Sequence, residues 1–472
     1  MKFNYHVIVI GAGSGGLVVA SGAAGLGARV ALIEADKMGG DCLNTGCVPS
    51  KSFLKSAHFA ADIQRSEQLG INAQHKDVDL KTVMARVHSV IKSIEPHDSK
   101  ERFESLGVDV ISGRGRLLDA HSVDIGGRVI TGKNLVIATG SRAAVPPIPG
   151  LNEIPFLTNE NIFDLEVLPR RLLVLGAGPI GLELGQGFCH LGSQVTIVDK
   201  ASYLFLKDDP EVAPIMEKKL KDDGVDLRLN SSIQSVREEG DEIVVTIEFK
   251  RRKQELRGDK LLVALGRKPS SSGLGLEDVG VETDPGGSIS VNRKLQTSVK
   301  NIYACGDVTG PYQFTHMAGY QAGIVIRNTI FRLGTKVDYS AVPWTTYTRP
   351  EVAHVGYTEP WAKSQGLFHD SVVIPLDGID RAKAEGDTEG FLKLILGKKN
   401  RLVGITLVGE KAGEMIPVGT LAIRQKLKAT AFMSLIFSYP TESEIFKMAA
   451  LELAKRALKD WVKRVIKWIF LR

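Results

Sequence analysis

One pattern occurs twice in the 472 residues and constrains the fold more than any other feature of the sequence. In each copy a short apolar strand leads into a glycine-rich turn, a helix, and a second strand that ends on an acidic residue. The copies run from Val7 to Glu34 and from Leu172 to Asp199, and in both the acid lies 23 positions after the first glycine. That spacing is typical of a dinucleotide-binding unit whose acid reaches a ribose. The chain is therefore predicted to hold two dinucleotides.

The residue types in the two turns suit a phosphate group. The first glycine permits a tight turn, the second lets the backbone approach the phosphates, and the third lets the helix pack closely on the strand. The start of a helix adds free N–H groups and a partial positive charge, so no lysine is needed. The predicted contacts are Gly11, Gly13, Ser14, Gly15, Gly16 and Glu34 in the first unit, and Gly176, Gly178, Gly181 and Asp199 in the second.

Other apolar strands end on small residues and complete the predicted sheets. Thr139 and Gly140 follow one strand and Gly266 follows another, and these residues, with Gly115, are predicted cofactor contacts. Alternating apolar patches after residue 338 indicate an antiparallel sheet followed by helices. The predicted class is α/β, with two Rossmann-like dinucleotide-binding domains and a C-terminal α+β domain. The predicted segments are 1–150 and 270–337 for the first dinucleotide domain, 151–269 for the second, 338–450 for the α+β domain, and 451–472 for a basic amphipathic helix.

Composition excludes several classes of function. Aromatic residues make up 6% of the chain, which leaves few stacking platforms, so no nucleic-acid partner is predicted. No run of 18 apolar residues is present, so no transmembrane helix is expected. The net charge of +6 is concentrated at one end, since residues 451–472 hold seven basic residues and only two acidic ones. With no signal-peptide pattern before Val7, a cytoplasmic protein is predicted.

The four cysteines are too few and too dispersed for a disulfide scaffold. Cys42 and Cys47 are five positions apart and directly follow the first dinucleotide unit, which places them beside its cofactor. Two thiols at this spacing can close into a small disulfide loop if the backbone bends. A dithiol next to a redox cofactor favours electron transfer over the alternative of two inert buried thiols.

The stretch from Gly39 to Lys51 reads Gly-Gly-Asp-Cys-Leu-Asn-Thr-Gly-Cys-Val-Pro-Ser-Lys. With this motif the whole chain resembles the pyridine nucleotide-disulfide oxidoreductases, the flavoprotein family of dihydrolipoamide dehydrogenase, glutathione reductase and mercuric reductase. The resemblance implies that Cys47 faces the flavin and that Cys42 exchanges with the substrate. It also implies a homodimer in which the α+β domain is the dimerisation domain.

The resemblance assigns the two cofactors and several contacts. It implies that the first glycine motif binds FAD and the second binds the nicotinamide dinucleotide. It further implies that Lys51 lies beside flavin N5 with Glu183 as its ion-pair partner, and that Asp307 and His316 contact FAD. Asp199 can accept hydrogen bonds from a ribose hydroxyl and would repel a 2′-phosphate, which favours NADH, while the adjacent Lys200 leaves NADPH as the alternative.

The sequence departs from the disulfide reductases of this family at residue 439. Where those enzymes carry a His-Pro motif oriented by a glutamate five positions later, this chain has Tyr439 and Glu444. A phenol with an ordinary pKa near 10 is a poor base at neutral pH, whereas an imidazole near 6.5 suits proton transfer. Mercuric reductases also carry tyrosine there, so Tyr439 is a candidate catalytic residue, the alternative being a packing role.

These features predict a homodimeric enzyme in which NADH reduces FAD, FAD reduces the disulfide, and the dithiol reduces an acceptor. The acceptor is left open between a small-molecule or protein disulfide, a metal ion and a quinone. Because Tyr439 replaces the histidine, a mercuric or quinone reductase-like enzyme is one alternative. A flavin-binding partner subunit without efficient turnover is the other.

Residues 451–472 combine apolar residues at helical spacing with basic residues largely between them. Such a helix suits the surface of an anionic membrane. Peripheral contact with the inner membrane surface is therefore one interpretation, and a helix that covers the dimer interface is the other.

Overall fold

The computed structural model describes residues 3–73, 77–458 and 460–471. Within it the chain forms two compact units, one from Met1–Lys200 with Ser231–Val337, the other from Ala201–Asn230 with Asp338–Arg472. The segment 201–230, which the sequence places inside the second dinucleotide domain, thus groups with the second unit. The proposed domain boundaries remain predictions.

The first dinucleotide-binding part is a mostly parallel sheet with helices. Its strand order is β3-β2-β1-β6, with β16 parallel to β6 and an antiparallel extension through β5 to β4. Val7, Ile8 and Val9 have no exposed surface, as expected for a central parallel strand covered on both faces. The elements are β1 Tyr5–Ile10, α1 Ser14–Gly25, β2 Val30–Glu34, α2 Gly40–Asn44, α3 Cys47–Gln64, α4 Leu80–Asp98, α5 Lys100–Ser105, β3 Val108–Ser112, β4 Gly115–Leu117, β5 Ser122–Ile125, β6 Arg128–Ile137 and β7 Ser141–Ala143.

The second copy of the repeat forms the parallel strands β9-β8-β14, and β11-β12-β13 form an antiparallel sheet. The short strands β7 and β15 pair with each other. The elements are β8 Arg171–Leu175, α6 Pro179–His190, β9 Gln194–Val198, α7 Val212–Asp222, β10 Asp226–Arg228, β11 Ser231–Glu239, β12 Glu242–Phe249, β13 Arg252–Gly258, β14 Lys260–Val263, β15 Arg267–Pro269, β16 Ile302–Ala304 and α8 Thr315–Thr329. Of these, α7 and β10 belong to the second unit.

The second unit contains a five-stranded antiparallel sheet of order β17-β18-β21-β20-β19. Helix α12 buries Ile445, Phe446 and Ala449 in the core of this unit. The elements are β17 Pro343–Thr346, β18 Glu351–Gly356, α9 Glu359–Ser364, β19 Asp370–Pro375, α10 Asp380–Glu385, β20 Phe391–Leu396, β21 Leu402–Gly409, α11 Ala412–Arg424, α12 Ile445–Ala457 and α13 Asp460–Phe470. The mixed α/β architecture predicted from the sequence is confirmed.

The segment predicted as one helix over 451–472 is divided in the structure. Helix α12 ends at Ala457, Leu458 is not helical, and α13 begins at Asp460. The basic residues Lys459 and Arg472 lie outside the described residues. Among the helices that the structure describes, none is both long and apolar enough to cross a membrane.

A buried ion-pair network holds the segment 201–230 within the second unit. Lys393 on β20 is 1% exposed, and its Nζ lies 3.2 Å from Asp209 and 2.8 Å from Glu359. It also lies 2.7 Å from Glu211, just before α7. Asp209 additionally accepts a hydrogen bond from the Thr406 hydroxyl. One buried cation therefore compensates three carboxylates from separate stretches of the chain.

Replacing Lys393 with methionine is expected to destabilise the protein by about 3–5 kcal/mol, because it leaves the fully buried carboxylate of Asp209 without its cation. Guanidinium unfolding of the holoprotein, followed by far-UV circular dichroism, measures the change. Lys218→Met is the matched control, since Lys218 also pairs with acids, Asp222 and Glu389, but is exposed. Equal unfolding midpoints for the two variants would show that the network contributes nothing beyond a surface ion pair.

Candidate functional site

The first glycine turn is packed too closely for larger residues at two positions. Gly11 has φ +104°, and a Cβ there would lie 2.5 Å from the carbonyl oxygen of Ala138. A Cβ on Gly16 would lie 1.8 Å from the Gly11 oxygen. At Gly13, by contrast, the nearest atom is the Cα of Gly40 at 3.9 Å. The turn is thus tight against its own strand and open beside its second glycine.

The second turn repeats this geometry. Gly176 has φ +106°, and its Cβ would lie 2.4 Å from the Ala264 oxygen, while a Cβ on Gly181 would lie 2.0 Å from the Gly176 oxygen. No heavy atom lies within 4 Å of the position a Cβ would take at Gly178. The sequence repeat is therefore also a repeat of atomic contacts.

The acid at the end of each unit is fixed by the backbone of the turn. Glu34 Oε2 accepts a hydrogen bond of 2.6 Å from the Ala12 N–H, and Asp199 Oδ2 accepts one of 2.7 Å from the Ala177 N–H. These bonds hold both carboxylates beside the glycine turns, at the position where an adenosine ribose is expected.

The remaining predicted cofactor contacts differ in their surroundings. Thr139 follows β6, and its buried Oγ1 has no hydrogen-bond partner in the part of the chain that the structure describes. Gly140 and Gly266 both have positive φ, and the space a Cβ would take is open. Gly115 is buried in β4 against the side chains of Ile10, Ile33 and Val123.

These features fit a dinucleotide at each turn. The open second glycines leave room for phosphates beside helices α1 and α6, neither of which has a side-chain cap at its first turn. The partnerless Thr139 hydroxyl next to Gly11 is a polar group suited to a ligand, since buried hydroxyls are normally hydrogen-bonded. Gly13, Ser14 and Glu34 would hold FAD, and Gly178 and Asp199 would hold the nicotinamide dinucleotide.

The two cysteines lie in consecutive helices, Cys42 in the short helix α2 and Cys47 at the first position of the longer helix α3, and both are free thiols. The hydrogen bond from Cys42, then the Thr315 hydroxyl and the charge of Lys51, lower the pKa of Cys47 to about 6, although burial opposes this. The bond to Cys47 and burial raise the pKa of Cys42. At neutral pH, Cys47 is thus the thiolate and Cys42 retains its proton.

Two contacts support the thiol pair. Lys51 on α3 forms an ion pair of 2.8 Å with Glu183 on α6, and the glutamate is 5% exposed. Thr315, the first residue of α8, places its Oγ1 3.3 Å from Cys47 Sγ. The Lys51–Glu183 pair was predicted, whereas Thr315 was missed because a hydroxyl 268 positions away carries no local signal.

A charged cluster adjoins the cysteines, and of its members only Asp307 was predicted as a site residue. Arg267 is 3.1 Å from Asp41, the residue before Cys42, and it donates to Ser141 Oγ at 2.8 Å. Ser141 in turn donates to Asp307 at 2.6 Å. Burial raises the pKa of Asp307, and Arg267 opposes this from 3.8 Å. The cluster joins four separate stretches of the first unit around one guanidinium.

His316 and Cys305 lie in different surroundings. His316, the second residue of α8, stacks on the ring of Phe314 at 5.3 Å between centroids. Cys305 is 1% exposed, and burial raises its pKa to about 12, so it remains an inert thiol.

Tyr439 lies at the surface of the second unit with 71% of its area exposed. Its hydroxyl donates a hydrogen bond of 3.1 Å to Asp380 at the start of α10, and this bond raises the pKa of Tyr439. Asp380 was missed in the sequence, since it lies 59 positions away. Glu444 closes the short helical turn Glu442–Glu444 and also raises the pKa of Tyr439 through its charge.

The fold and the site together define a protein with two glycine turns suited to dinucleotides and a thiol pair close to the first of them. Sequence comparison agrees. Residues 5–322 match the model of the pyridine nucleotide-disulphide oxidoreductases, and residues 342–450 match the dimerisation domain of the same family. The chain belongs to the pyridine nucleotide-disulphide oxidoreductase family.

Relatives of this chain include two kinds of enzyme. It is 35% identical to a mercuric reductase from Staphylococcus aureus over 97% of this chain and 84% of that protein. It is 34% identical to a dihydrolipoyl dehydrogenase from Geobacillus stearothermophilus over 96% of both chains. The HOCl-induced flavoprotein disulfide reductase RclA from Escherichia coli superimposes with a TM-score of 0.84 at 30% identity, covering 95% of this chain and 99% of that one.

These findings confirm several predictions. The chain is an FAD-dependent disulfide oxidoreductase of the lipoamide dehydrogenase and mercuric reductase type, and its cofactors are FAD and NAD(P)H. The match to the dimerisation domain supports a homodimer. The roles of the individual site residues remain predictions.

Replacing Thr315 with valine is expected to raise the pKa of Cys47 from about 6 to about 7, because a hydrogen bond to a charged group is worth about 1.5 kcal/mol. As the pH is lowered, the valine variant would therefore lose the Cys47 thiolate at a higher pH than the parent protein does. Titrating the long-wavelength absorbance that a thiolate gives beside the flavin in the reduced protein measures this midpoint. Thr315→Ser should titrate like the parent; a valine variant with the parent's midpoint would contradict the assignment.

Replacing Arg267 with methionine is expected to weaken FAD binding by about tenfold or more. The change removes the cation that compensates the carboxylates of Asp41 and Asp307. Asp41 directly follows Gly40, which lies beside Gly13 in the first glycine turn, so a shift of Asp41 would disturb the predicted FAD site. Flavin fluorescence on dilution of the holoprotein reports the dissociation constant. Arg142→Met, at an exposed position of the neighbouring strand β7, should retain FAD; equal losses from both variants would point to a general charge effect.

Proposed function

We propose that this protein uses NADH to reduce the Cys42–Cys47 disulfide and passes the electron pair to an acceptor that needs no histidine base, a soft metal ion or a quinone. The main support for this choice of acceptor is the hydrogen bond from the Tyr439 hydroxyl to Asp380, which raises the pKa of the phenol. FAD, held beside Gly13, Ser14 and Glu34, would supply the two-electron redox chemistry that links NADH to the disulfide. In the balanced reaction NADH, a proton and the disulfide give NAD⁺ and the dithiol.

The first unit carries the proposed thiol chemistry. Cys47 is the proposed thiolate facing the flavin, because its pKa is lowered, and Cys42 is the proposed exchange thiol, because it retains a proton at neutral pH. Lys51 supplies positive charge that favours the thiolate, and its ion pair with Glu183 holds the ammonium in place. Each proposed role is supported by contacts among residues of the first unit.

NADH is proposed over NADPH because of Asp199. Its carboxylate is held beside the second glycine turn by the Ala177 N–H, so it can receive a ribose hydroxyl and would repel a 2′-phosphate. Lys200 follows directly but is exposed to solvent, which screens its charge. The carboxylate therefore has the stronger influence on the choice of cofactor.

The acceptor is inferred from proton transfer. Reduction of a dithiolane such as lipoamide releases a thiolate that must be protonated, and reoxidation requires a base for the exchange thiol. A phenol with a raised pKa is a weaker acid and is not a base at neutral pH. A soft metal ion binds thiolates directly, and a quinone takes its protons from solvent, so neither needs a base at residue 439.

Anaerobic reduction by NADH, followed by single-turnover reoxidation, tests this proposal. The purified holoprotein is first reduced, and then lipoamide, mercuric ion and a benzoquinone are added in parallel. We expect full reduction by NADH and slow reoxidation by lipoamide. Reoxidation by mercuric ion or the quinone should be about a hundredfold faster, because the lipoamide reaction lacks the rate enhancement that general acid–base catalysis usually supplies.

The Tyr439→His variant is the matched control. It restores the imidazole and should accelerate reoxidation by lipoamide without changing reduction by NADH. Fast turnover of lipoamide by the parent protein would contradict the proposed acceptor. Absence of reduction by NADH would instead favour the second candidate, a flavin-binding partner subunit without efficient turnover.

A cytoplasmic location with peripheral contact at the inner membrane surface is also proposed. Support comes from the cations of residues 451–472 and from the exposed apolar residues of α13, of which Trp461 and Phe470 are 58% and 75% exposed. Contact with a membrane would bring the enzyme to lipid-soluble acceptors such as quinones.

A further inference from the structure

Helices α12 and α13 follow each other in the chain but expose their apolar residues very differently. On α12, Ile445, Phe446 and Ala450 are completely buried in the core of the second unit. On α13 six of the seven apolar residues are exposed, and Val462 is partly buried; the exposed fractions are Trp461 58%, Val465 42%, Ile466 38%, Trp468 63%, Ile469 52% and Phe470 75%. The apolar face of α13 is therefore not covered by its own unit.

The sequence of α13 divides the helix into two faces. At 100° per residue, its apolar residues occupy an arc of roughly 200°, while its cations share the remaining arc. Arg464 and Lys467 lie on that polar arc and are exposed. The helix contains three basic residues, Lys463, Arg464 and Lys467, and the one acid Asp460.

Charge and residue type point to lipid rather than to protein. The segment 451–472 carries a net charge of +5 out of +6 for the chain, so the attraction to an anionic surface is concentrated here. Two of the four tryptophans, Trp461 and Trp468, lie within eight residues of each other. Tryptophan prefers the boundary between lipid headgroups and acyl chains.

The width and position of the apolar face of α13 also favour lipid over protein as its partner. A helix that packs on a second copy of a protein usually presents a narrower apolar stripe than this arc. The match to the family dimerisation domain ends at residue 450, before α13 begins. With 11 residues, the helix is about 16 Å long, too short to span a bilayer but suited to lying in its surface.

We infer that α13 lies in the plane of a membrane surface rich in anionic phospholipid, with its apolar face towards the acyl chains and Arg464 and Lys467 among the headgroup phosphates. The inference rests on the proposed peripheral membrane contact and is independent of which acceptor the dithiol reduces. The surface it requires is a bilayer with a negative charge, as in phosphatidylglycerol.

Co-sedimentation of the full-length holoprotein with vesicles tests the inference. One vesicle preparation contains phosphatidylcholine alone and the other contains about one-third phosphatidylglycerol. We expect binding only to the anionic vesicles, a blue shift of tryptophan emission on binding, and loss of binding at high salt. Trp461→Ser with Trp468→Ser, and separately Arg464→Gln with Lys467→Gln, should each weaken binding at least tenfold.

Matched controls separate this surface from general effects. Phe331→Ser with Leu333→Ser removes two other exposed apolar side chains, and Lys398→Gln with Lys399→Gln removes two other exposed cations. Both controls should bind vesicles like the parent. Every variant should reduce with NADH like the parent, so a failure of the redox proposal would be seen separately.

Two results would overturn the inference. The first is equal binding of the parent and the α13 variants to anionic vesicles, which would place the contact elsewhere. The second is a fall in mass from dimer to monomer by light scattering in the α13 variants, which would show that a second copy of the chain covers the helix.

Discussion

The close packing of each glycine turn against its own strand is the constraint on which both cofactor sites depend. Any side chain at Gly16 would overlap the Gly11 carbonyl, and the same overlap occurs between Gly181 and Gly176. Because the turns are this tight, only three residues separate each central strand from the helix that follows it: β1 ends at Ile10 and α1 begins at Ser14, and β8 ends at Leu175 and α6 begins at Pro179. The space beside Gly13 and Gly178 then remains open for phosphate groups.

Charge compensation organises the rest of the molecule. Lys51, Arg267 and Lys393 each neutralise carboxylates that lie far away in the sequence, and each cation or its partners are largely buried. Uncompensated charges at such positions would be costly, so each cation fixes the segments that supply its acids. In the first unit this effect positions the backbone around the cysteines. In the second it anchors the segment 201–230 to the central sheet.

The sequence predicted what depends on local spacing. The two glycine turns, their acids and the cysteine pair all lie within short motifs, and their geometry follows from steric rules that act over a few residues. Thr315, Arg267 and Asp380 were missed because each meets its partner only through the tertiary fold. The predicted single helix over 451–472 divides at Leu458, since periodicity alone does not reveal that α12 is anchored in a core while α13 is exposed.

The chemistry of the thiols and the chemistry of the acceptor depend on different residues. The low pKa of Cys47 arises from Cys42, Thr315 and Lys51, all within the first unit, and it favours a thiolate whatever the acceptor is. The protonation of residue 439 depends on Asp380, within the second unit. On this ground we propose that tyrosine at position 439 leaves the formation of the dithiol intact while removing the base that thiol exchange requires.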